Sequence, residues 1–234
     1  MAKGEYMKKI KTLGIIGGLG PETTARFYME VVFACSKISR RRPQILISNV
    51  AVPLSVEKEL ITEAKNMEDI LPFLLNAAEQ LEKGGADFIV IPCNTVHIFI
   101  EEIRESVNIP VLNIIEESSK FLKKKKIKQI GLFATTATIN NKLFDKTLKN
   151  NDIEIQIPNA SDQRRLVQII HNLVNNKNKA EDKRKFLNII QQTGVRNILL
   201  ACTDLQILNP QIDGIRIFDT MDILAKAAVR EVLK

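Results

Sequence analysis

The stretch FIVIPCNT, residues 88–95, places a cysteine directly after a run of apolar residues. A short apolar run of this length is typical of a buried strand. A second stretch, NILLACTD at 197–204, repeats the order of apolar run, cysteine and polar side chains. The two stretches predict two strands, each followed by a cysteine, Cys93 or Cys202.

A second pair of stretches indicates that the chain is duplicated. IKTLGIIGGLGPETT at 10–24 can be laid over IKQIGLFATTATINN at 127–141, with a shared Ile-Lys and a shared glycine after a hydrophobic residue. The offset between these stretches and the offset between the cysteines agree within about ten residues. We therefore predict two similar halves.

Short apolar runs alternate with longer amphipathic stretches along the chain. The runs predict strands at 13–17, 45–50, 88–92, 109–113, 129–134, 153–158 and 197–201. Apolar residues spaced three and four apart predict helices at about 22–38, 57–83, 95–106, 115–125, 140–149, 161–175, 180–193 and 220–233. Strands separated by helices imply crossovers and mostly parallel sheets covered on both faces, so the predicted class is α/β.

Size and composition exclude several classes of protein. With 234 residues, 45% hydrophobic and 26% charged, the chain is neither disordered nor fibrous. No apolar run has the roughly 18 residues of a membrane helix, and the first residues lead into a strand instead of a cleavage site. Three scattered cysteines are too few for a secreted disulfide framework. We predict a cytoplasmic protein with no membrane partner.

The net charge of +7 raises the question of nucleic-acid binding. The densest basic clusters, 40–42 and 123–126, lie between structural segments and lack the interleaved aromatic residues of a single-strand-binding surface. We interpret them as solvated surface and predict no nucleic-acid partner.

The glycine-rich turn GIIGGLGPETT, 14–24, follows a predicted strand and opens a helix. Gly18 and Gly20 match only the first two glycines of the dinucleotide-binding motif, because position 23 is Thr. The sequence SKISRRR at 36–42 also lacks the expected ribose-binding acid, which makes NAD an unfavourable cofactor. The turn is either structural or a site for a carboxylate at a helix start.

Four side chains raise the question of a zinc site: Cys93, His97, His171 and Cys202. Structural zinc sites take ligands in local pairs, and neither His171 nor Cys202 has a close companion, so no metal is predicted. His97 is predicted to be a packed histidine or to support the surroundings of Cys93.

A reactive thiolate is the interpretation that fits Cys93 and Cys202 better. A cysteine between a strand end and a helix start gains from the helix dipole and from nearby N–H and hydroxyl donors. In parallel sheets ligands bind beyond the carboxyl ends of the strands, so two facing halves would bring both thiols to one cleft. Cys35 lies in an amphipathic stretch and is predicted to pack in the core.

Four motifs together carry a family resemblance: GIIGGLGPETTARFY, GADFIVIPCNTVH, GLFATTATI and LLACTDL. In this order, from about residue 10 to the C-terminus, they resemble the aspartate/glutamate racemase superfamily and specifically its aspartate racemase branch. The resemblance implies two α/β domains with mostly parallel four-stranded sheets, related by a pseudo-twofold. Residues 1–113 plus 214–234 would form the first domain, with a returning C-terminal helix, and 114–213 the second. It also implies a homodimer.

The resemblance further implies a cofactor-free amino-acid racemase, with Cys93 and Cys202 as an opposed acid/base pair at Cα in the interdomain cleft. One thiolate would take the Cα proton from one face while the other thiol delivers a proton to the opposite face. The second motif has Ala201 where the family usually has Gly. The substrate-binding residues implied by the resemblance are Gly18, Leu19, Asn94, Thr95, Thr135, Thr136, Thr203 and Lys177.

One departure from the family concerns the substrate. Aspartate-specific members carry a Pro-Asp-Arg stretch whose Arg holds the side-chain carboxylate, and here Ser55 or Val56 stands at the Arg position. Lys58 or Lys177 is a candidate substitute, and the substrate is aspartate, glutamate or another amino acid. Alternative functions are a related isomerase or decarboxylase of small dicarboxylic acids, a non-catalytic amino-acid-binding protein, and a redox pair, although the chain has no C-x-x-C motif.

Overall fold

The computed structural model describes residues 10–59 and 65–234, which form two parallel sheets covered by helices. The first sheet has the order β2-β1-β3, with β1 at Leu13–Gly17, β2 at Ile45–Asn49 and β3 at Phe88–Val90. The second has the order β5-β4-β6-β7, with β4 at Gln129–Phe133, β5 at Glu154–Gln156, β6 at Asn197–Leu200 and β7 at Arg216–Asp219. All these strand pairs are parallel, which confirms the predicted α/β class.

Helices connect the strands. The α-helices of the described residues are α1 (Pro21–Ser39), α2 (Leu54–Lys58), α3 (Leu71–Lys83), α4 (Ile100–Glu105), α5 (Ile114–Lys124), α6 (Thr136–Asn140), α7 (Asp145–Lys149), α8 (Ala160–Val174), α9 (Ala180–Gln192) and α10 (Thr220–Val232). Short 3-10 helices span Met67–Ile70, Thr95–Phe99 and Thr203–Leu208. Within the described ranges, no helix combines the length and the apolar character that crossing a membrane requires.

A central apolar layer lies between the two sheets. Phe88 and Val90 of β3 pack into it, whereas Ile89 faces an apolar cluster on the other side of the first sheet. Ile130 and Leu132 of β4 enter the same central layer from the second sheet. Because successive residues of a strand point to opposite faces, each sheet is buried on both sides, as a parallel sheet requires.

The last helix joins the two halves. Helix α10 packs against α1 of the first half and against α5, while β7, which precedes it, pairs with β6 of the second sheet. The domain limits, residues 1–113 with 214–234 and residues 114–213, remain a prediction.

The first sheet differs from the prediction in its fourth strand. Residues 109–113 lie beside β3, but they form only one bridge, between Ile89 and Val111. The Ile89 N–H donates to the Pro110 carbonyl (2.8 Å), and the Leu112 N–H donates to the Ile89 carbonyl (2.9 Å). Pro110 has no N–H to donate, which limits the ladder at this point.

Two predicted helices are interrupted in the structure. The predicted helix 57–83 is divided into α2, a 3-10 turn and α3, and residues 60–64 lie outside the described residues. Asn66 has a left-handed φ of 46°, which a continuous helix does not allow. The predicted helix 140–149 is replaced by α6 and α7, with Lys142 at φ 51° between them. Strand β7 was not predicted.

Candidate active site

Cys93 and Cys202 occupy equivalent places in the two halves. Each follows a strand shortly beyond its carboxyl end, Cys93 after β3 and Cys202 after β6. Both line the same cleft between the sheets. They are close enough for a charge on Cys93 to raise the pKa of Cys202. Each half therefore contributes one thiol to the cleft.

Backbone N–H groups surround each sulfur in the same way. Cys93 receives hydrogen bonds from the N–H groups of Thr95 and Val96. Cys202 receives them from Asp204 and Leu205, at the same spacing along the chain. In both cases the donors belong to the 3-10 helix that follows the cysteine. The duplicated sequence thus produces two matching N–H cradles.

Burial outweighs these N–H groups in the protonation of the thiols. Desolvation is the largest effect on Cys93 and raises the pKa of its thiol to about 12, against the hydrogen bonds that lower it. Desolvation also raises the pKa of Cys202 well above its ordinary value, and the Asp204 carboxylate raises it further. The sequence predicted that both cysteines are stabilised as thiolates. In the folded protein without a substrate, however, their surroundings favour the neutral thiols.

Crossed hydrogen bonds hold the two strand ends in position. The Thr203 hydroxyl donates to the carbonyl of Pro92, which precedes the other cysteine (3.1 Å). In return, the Asn94 Nδ2 group donates to the Thr220 hydroxyl (2.9 Å), which donates to the Leu200 carbonyl (2.9 Å). The polar residue after each cysteine is therefore tied to the end of the opposite strand. This arrangement stabilises the position of one thiol relative to the other.

The Asn94 amide leaves one buried acceptor without a partner. The single hydrogen of the Thr220 hydroxyl is used on the Leu200 carbonyl, so Asn94 must direct its NH₂ group towards Thr220. Its Oδ1 atom is buried and has no hydrogen-bond partner. Asn94 lines the cleft, so a bound ammonium or amide group that reached this oxygen would supply its missing donor.

Three threonine hydroxyls form a buried cluster that links the halves. The Thr95 hydroxyl lies 2.9 Å from that of Thr135 and 3.3 Å from that of Thr138. The Thr135 hydroxyl donates to Thr138 (3.0 Å) and accepts from the Thr138 N–H at the start of α6 (3.2 Å). Thr95 and Thr135 also line the cleft, where their hydroxyls can contact a bound carboxylate.

A carboxylate stands beside the second thiol. Asp204 Oδ2 lies 3.8 Å from the Cys202 sulfur, in position to accept the thiol proton. Its other oxygen, Oδ1, accepts a hydrogen bond from the Thr23 hydroxyl (2.6 Å). Burial raises the pKa of Asp204 to about 6, and the hydrogen bonds from Thr23 and Cys202 oppose this shift. Asp204 can therefore exchange a proton near neutral pH.

The glycine turn makes room for that carboxylate. Gly20 has a left-handed φ of 84° and precedes α1. A Cβ atom at Gly20 would lie 2.7 Å from Asp204 Oδ1, which is closer than real Cβ contacts. Only glycine both adopts this backbone conformation easily and leaves this space open. The glycine turn of the first half thus leaves room for the Asp204 side chain of the second half.

A second carboxyl group, Glu57 of α2, lines the same cleft. Burial raises its pKa, and the charge of Asp204 raises it further, while a hydrogen bond from the Gly20 N–H lowers it. Glu57 and Asp204 are the only charged side chains among the described residues that line the cleft. The described wall of the cleft is therefore acidic.

His97 stabilises the turn that contains Cys93. Its Nδ1 atom lies 2.7 Å from the Cys93 carbonyl, and its Nε2 atom accepts a hydrogen bond from the Ile114 N–H (3.2 Å). The neutral ring with the hydrogen on Nδ1 satisfies both contacts. Both nitrogens are thus engaged with the backbone, and the described residues contain no group of three or more potential metal ligands. Of the two predicted roles for His97, support for the Cys93 surroundings fits this geometry.

The burial of His97 has a consequence for stability. Burial lowers its pKa to about 4, below the ordinary value of 6.5. Between these values the unfolded chain binds a proton that the folded protein does not, so stability falls as the pH falls from about 6.5 to about 4. We expect the difference in unfolding free energy between the parent and His97→Gln to decrease by about 3 kcal/mol over this range.

Urea unfolding of both proteins at several pH values from 7.5 to 4 measures this difference. Comparing the parent with the variant removes the contributions of the other titrating groups, such as Asp204, because both proteins contain them. Parallel stability curves for the two proteins would show that His97 is not buried in its neutral form.

Residues from β1 to the last helix match a known protein family. The pattern of the family described as Asp/Glu/Hydantoin racemase covers residues 16–228. The chain belongs to this family. The predicted resemblance to the aspartate/glutamate racemase superfamily is thus confirmed.

Individual relatives agree with this family membership. The chain is 28% identical over 229 residues to the broad specificity amino-acid racemase RacX of Bacillus subtilis (strain 168), covering 94% of this chain and 98% of the relative. The Picrophilus torridus aspartate racemase structure has a TM-score of 0.80 at 26% identity and covers 96% of this chain and 95% of its own. An aspartate racemase homologue from Pyrococcus horikoshii OT3 has a TM-score of 0.76 at 25% identity, covering 96% and 100%. These structures are consistent with the prediction that the chain belongs to the aspartate racemase branch.

The structure of this racemase-family chain brings most of the predicted site residues to the cleft. The predicted residues that line it are Cys93, Cys202, Leu19, Asn94, Thr95, Thr135 and Thr203. Gly18, Thr136 and Lys177 are not among its lining residues. Gly18 instead faces the Asn49 side chain, and Lys177 is exposed after the end of α8. The Lys58 side chain lies outside the described residues.

Sequence reasoning missed several residues of the cleft wall. Gly20, Glu57, Ile170, Val174 and Asp204 line it but were not assigned to the site. Asp204 had a local signal, because it follows the second cysteine by two residues, as Thr95 follows the first. Ile170 and Val174 had none, since their spacing is that of any buried helix face.

Proposed function

We propose that this protein is a cofactor-independent amino-acid racemase in which Cys93 and Cys202 act as opposed acid and base at Cα. One observation carries the proposal: each half contributes one thiol, in a matching N–H cradle, to the same cleft. Membership of a racemase family supports it. An amino acid lying between the thiols presents one face of its α-carbon to each sulfur.

The chemistry is the transfer of two protons. The thiolate on one side takes the Cα proton, and the electron pair left behind is delocalised into the α-carboxylate as an enolate. The thiol on the other side donates its proton to the opposite face of Cα, which inverts the configuration and leaves the second sulfur as the thiolate. Asn94, Thr95, Thr135 and Thr203 line the cleft and are the candidates to contact the carboxylate. The hydroxyls of Thr135 and Thr203 donate within the protein, so each must turn its hydrogen towards the carboxylate to stabilise this charge.

Asp204 is suited to produce the first thiolate. Its Oδ2 atom lies beside the Cys202 sulfur, and its pKa of about 6 leaves it ionised at neutral pH. The α-ammonium group of the substrate adds a positive charge to the acidic cleft, which lowers the pKa of both thiols. The thiolate therefore forms when the substrate is bound.

Proton exchange tests the proposal. In deuterated water, a panel of pure L-amino acids should give the D enantiomer, with deuterium at Cα, for at least one member. A binding protein or a redox pair would label none. A related decarboxylase would release carbon dioxide from a small dicarboxylic acid and lower its mass. A related isomerase would convert such an acid into an isomer of the same mass, which chromatography separates. The double variant Cys93→Ser/Cys202→Ser provides the matched control.

The predicted homodimer and cytoplasmic location are further parts of the proposal. Helix α1 exposes Met29 and Phe33, one turn apart, with 46% and 61% of their surfaces accessible. Such apolar side chains favour burial against a second copy of the chain. All three cysteines are free thiols, which suits a reducing compartment.

A further inference from the structure

The charges of the described side chains that line the cleft do not suit a dicarboxylic substrate. The charged groups among its described lining residues, Glu57 and Asp204, are both acids. Each raises the pKa of neighbouring groups through its negative charge. A side-chain carboxylate added to this cleft would lie among like charges, whereas a cation would lie between opposite ones.

The two acids belong to different parts of the cleft wall. Asp204 directly contacts Cys202, with its Oδ2 atom 3.8 Å from the sulfur. Glu57 lines the cleft from α2. Asp204 is therefore beside the proposed position of Cα and the α-ammonium group, and Glu57 belongs to another part of the cleft wall.

The two ends of a bound amino acid already have partners without Glu57. In the proposed reaction the α-carboxylate contacts the threonine side chains of the cleft, and the α-ammonium lies beside Asp204, to which it can donate. This leaves Glu57 as an acceptor for the side chain. The Gly20 N–H, which donates to Glu57, holds its carboxylate at the cleft.

An apolar wall completes this part of the cleft. Ile170 and Val174, one turn apart on α8, line it together with Leu19. Such a wall is suited to pack against methylene groups. A side chain with an aliphatic stem and a positive end matches an apolar wall followed by a carboxylate.

We propose that Glu57 is a specificity-determining residue that selects amino acids with a cationic side chain on an aliphatic stem, the chemical class of lysine, ornithine and arginine. This inference rests on the proposed racemase function.

The test compares substrates that differ in the charged end. L-lysine and L-norleucine have a similar stem, and L-aspartate carries the opposite charge. The parent protein should have a kcat/KM for lysine at least about tenfold above that for norleucine, with aspartate the poorest substrate. In Glu57→Gln the ratio of lysine to norleucine should fall about tenfold or more, mainly through KM, and Glu57→Asp should recover part of it.

Glu59→Gln is the matched control, because it removes a neighbouring acid that does not line the cleft and should keep the parent's ratio. If Glu57 instead bound the α-ammonium, Glu57→Gln would weaken all substrates equally and overturn the inference. A preference for aspartate that Lys58→Gln abolishes would also overturn it. Absence of Cα labelling with every amino acid would contradict the proposed racemase itself, whereas equal turnover of lysine and norleucine would contradict only the role of Glu57.

Discussion

Replacing either cleft cysteine by serine is expected to lower the rate of racemisation by at least about a thousandfold. Inversion needs a base on one face of Cα and an acid on the other, and each variant removes one of them. A serine hydroxyl is a much weaker acid than a thiol, so it does not replace the lost group. The fold should persist, because the exchange of sulfur for oxygen changes little volume at the cleft surface.

A second readout separates this scheme from a role for the cysteines in binding alone. Each single variant retains one base, which can remove the Cα proton from one enantiomer and return a solvent deuteron to the same face. We therefore expect Cys93→Ser and Cys202→Ser to exchange deuterium slowly into opposite enantiomers without inverting them. Chiral chromatography measures the inversion, and proton NMR in deuterated water measures the exchange.

Cys35→Ser is the matched control for the loss of a thiol. Cys35 lies on α1 in the central apolar cluster, away from the cleft, so its replacement should leave the turnover number within about twofold of the parent value. If either Cys93→Ser or Cys202→Ser kept substantial racemisation, the two-base scheme would be wrong.

Replacing Asp204 by asparagine is expected to lower kcat/KM about a hundredfold. The amide has nearly the same shape as the carboxylate and can still accept the hydrogen bond from Thr23, but it cannot take the proton of the Cys202 thiol. It also removes a negative partner of the α-ammonium group. The free enantiomers are equally stable, so kcat/KM must fall equally in the two directions of the reaction.

The pH profile identifies the role of Asp204. Since burial places its pKa at about 6, the parent's kcat/KM should fall as the pH decreases through 6 and the carboxylate becomes protonated. In Asp204→Asn this acidic limb should be absent. Asp213→Asn, which neutralises an exposed acid, is the control and should keep the limb. An unchanged profile in Asp204→Asn would contradict the proton-accepting role.

Local patterns were sufficient to predict the class of the fold and the two cysteines. Buried parallel strands are short apolar runs, and the polar residues that follow their carboxyl ends stand out against them. The repeat of strand, cysteine and polar pair therefore identified both halves of the cleft. The missing fourth strand and the divided helices 57–83 and 140–149 were not recognised, because Pro110 and the left-handed Asn66 and Lys142 change the backbone without changing the apolar spacing.

The character of the cleft depended on residues far apart in the chain. Glu57 was overlooked although its neighbours Ser55, Val56 and Lys58 were considered, since the side of α2 that faces the cleft is defined by its packing. The pKa values of Cys93 and Cys202 were predicted in the wrong direction, because the nearby N–H donors are local in the sequence but the desolvation that outweighs them depends on burial in the folded protein.

The order of apolar runs and glycines along the chain was enough to specify two similar α/β halves and to place one thiol at the end of a strand in each, because burial in a parallel sheet imposes these patterns locally. How the halves meet could be read only from the folded molecule. Their packing brings Asp204 against Gly20 and the Thr203 hydroxyl onto the Pro92 carbonyl, and it gathers two acids and an apolar wall around the thiols. The first two contacts join residues 111 or more positions apart in the chain, so no local pattern records them.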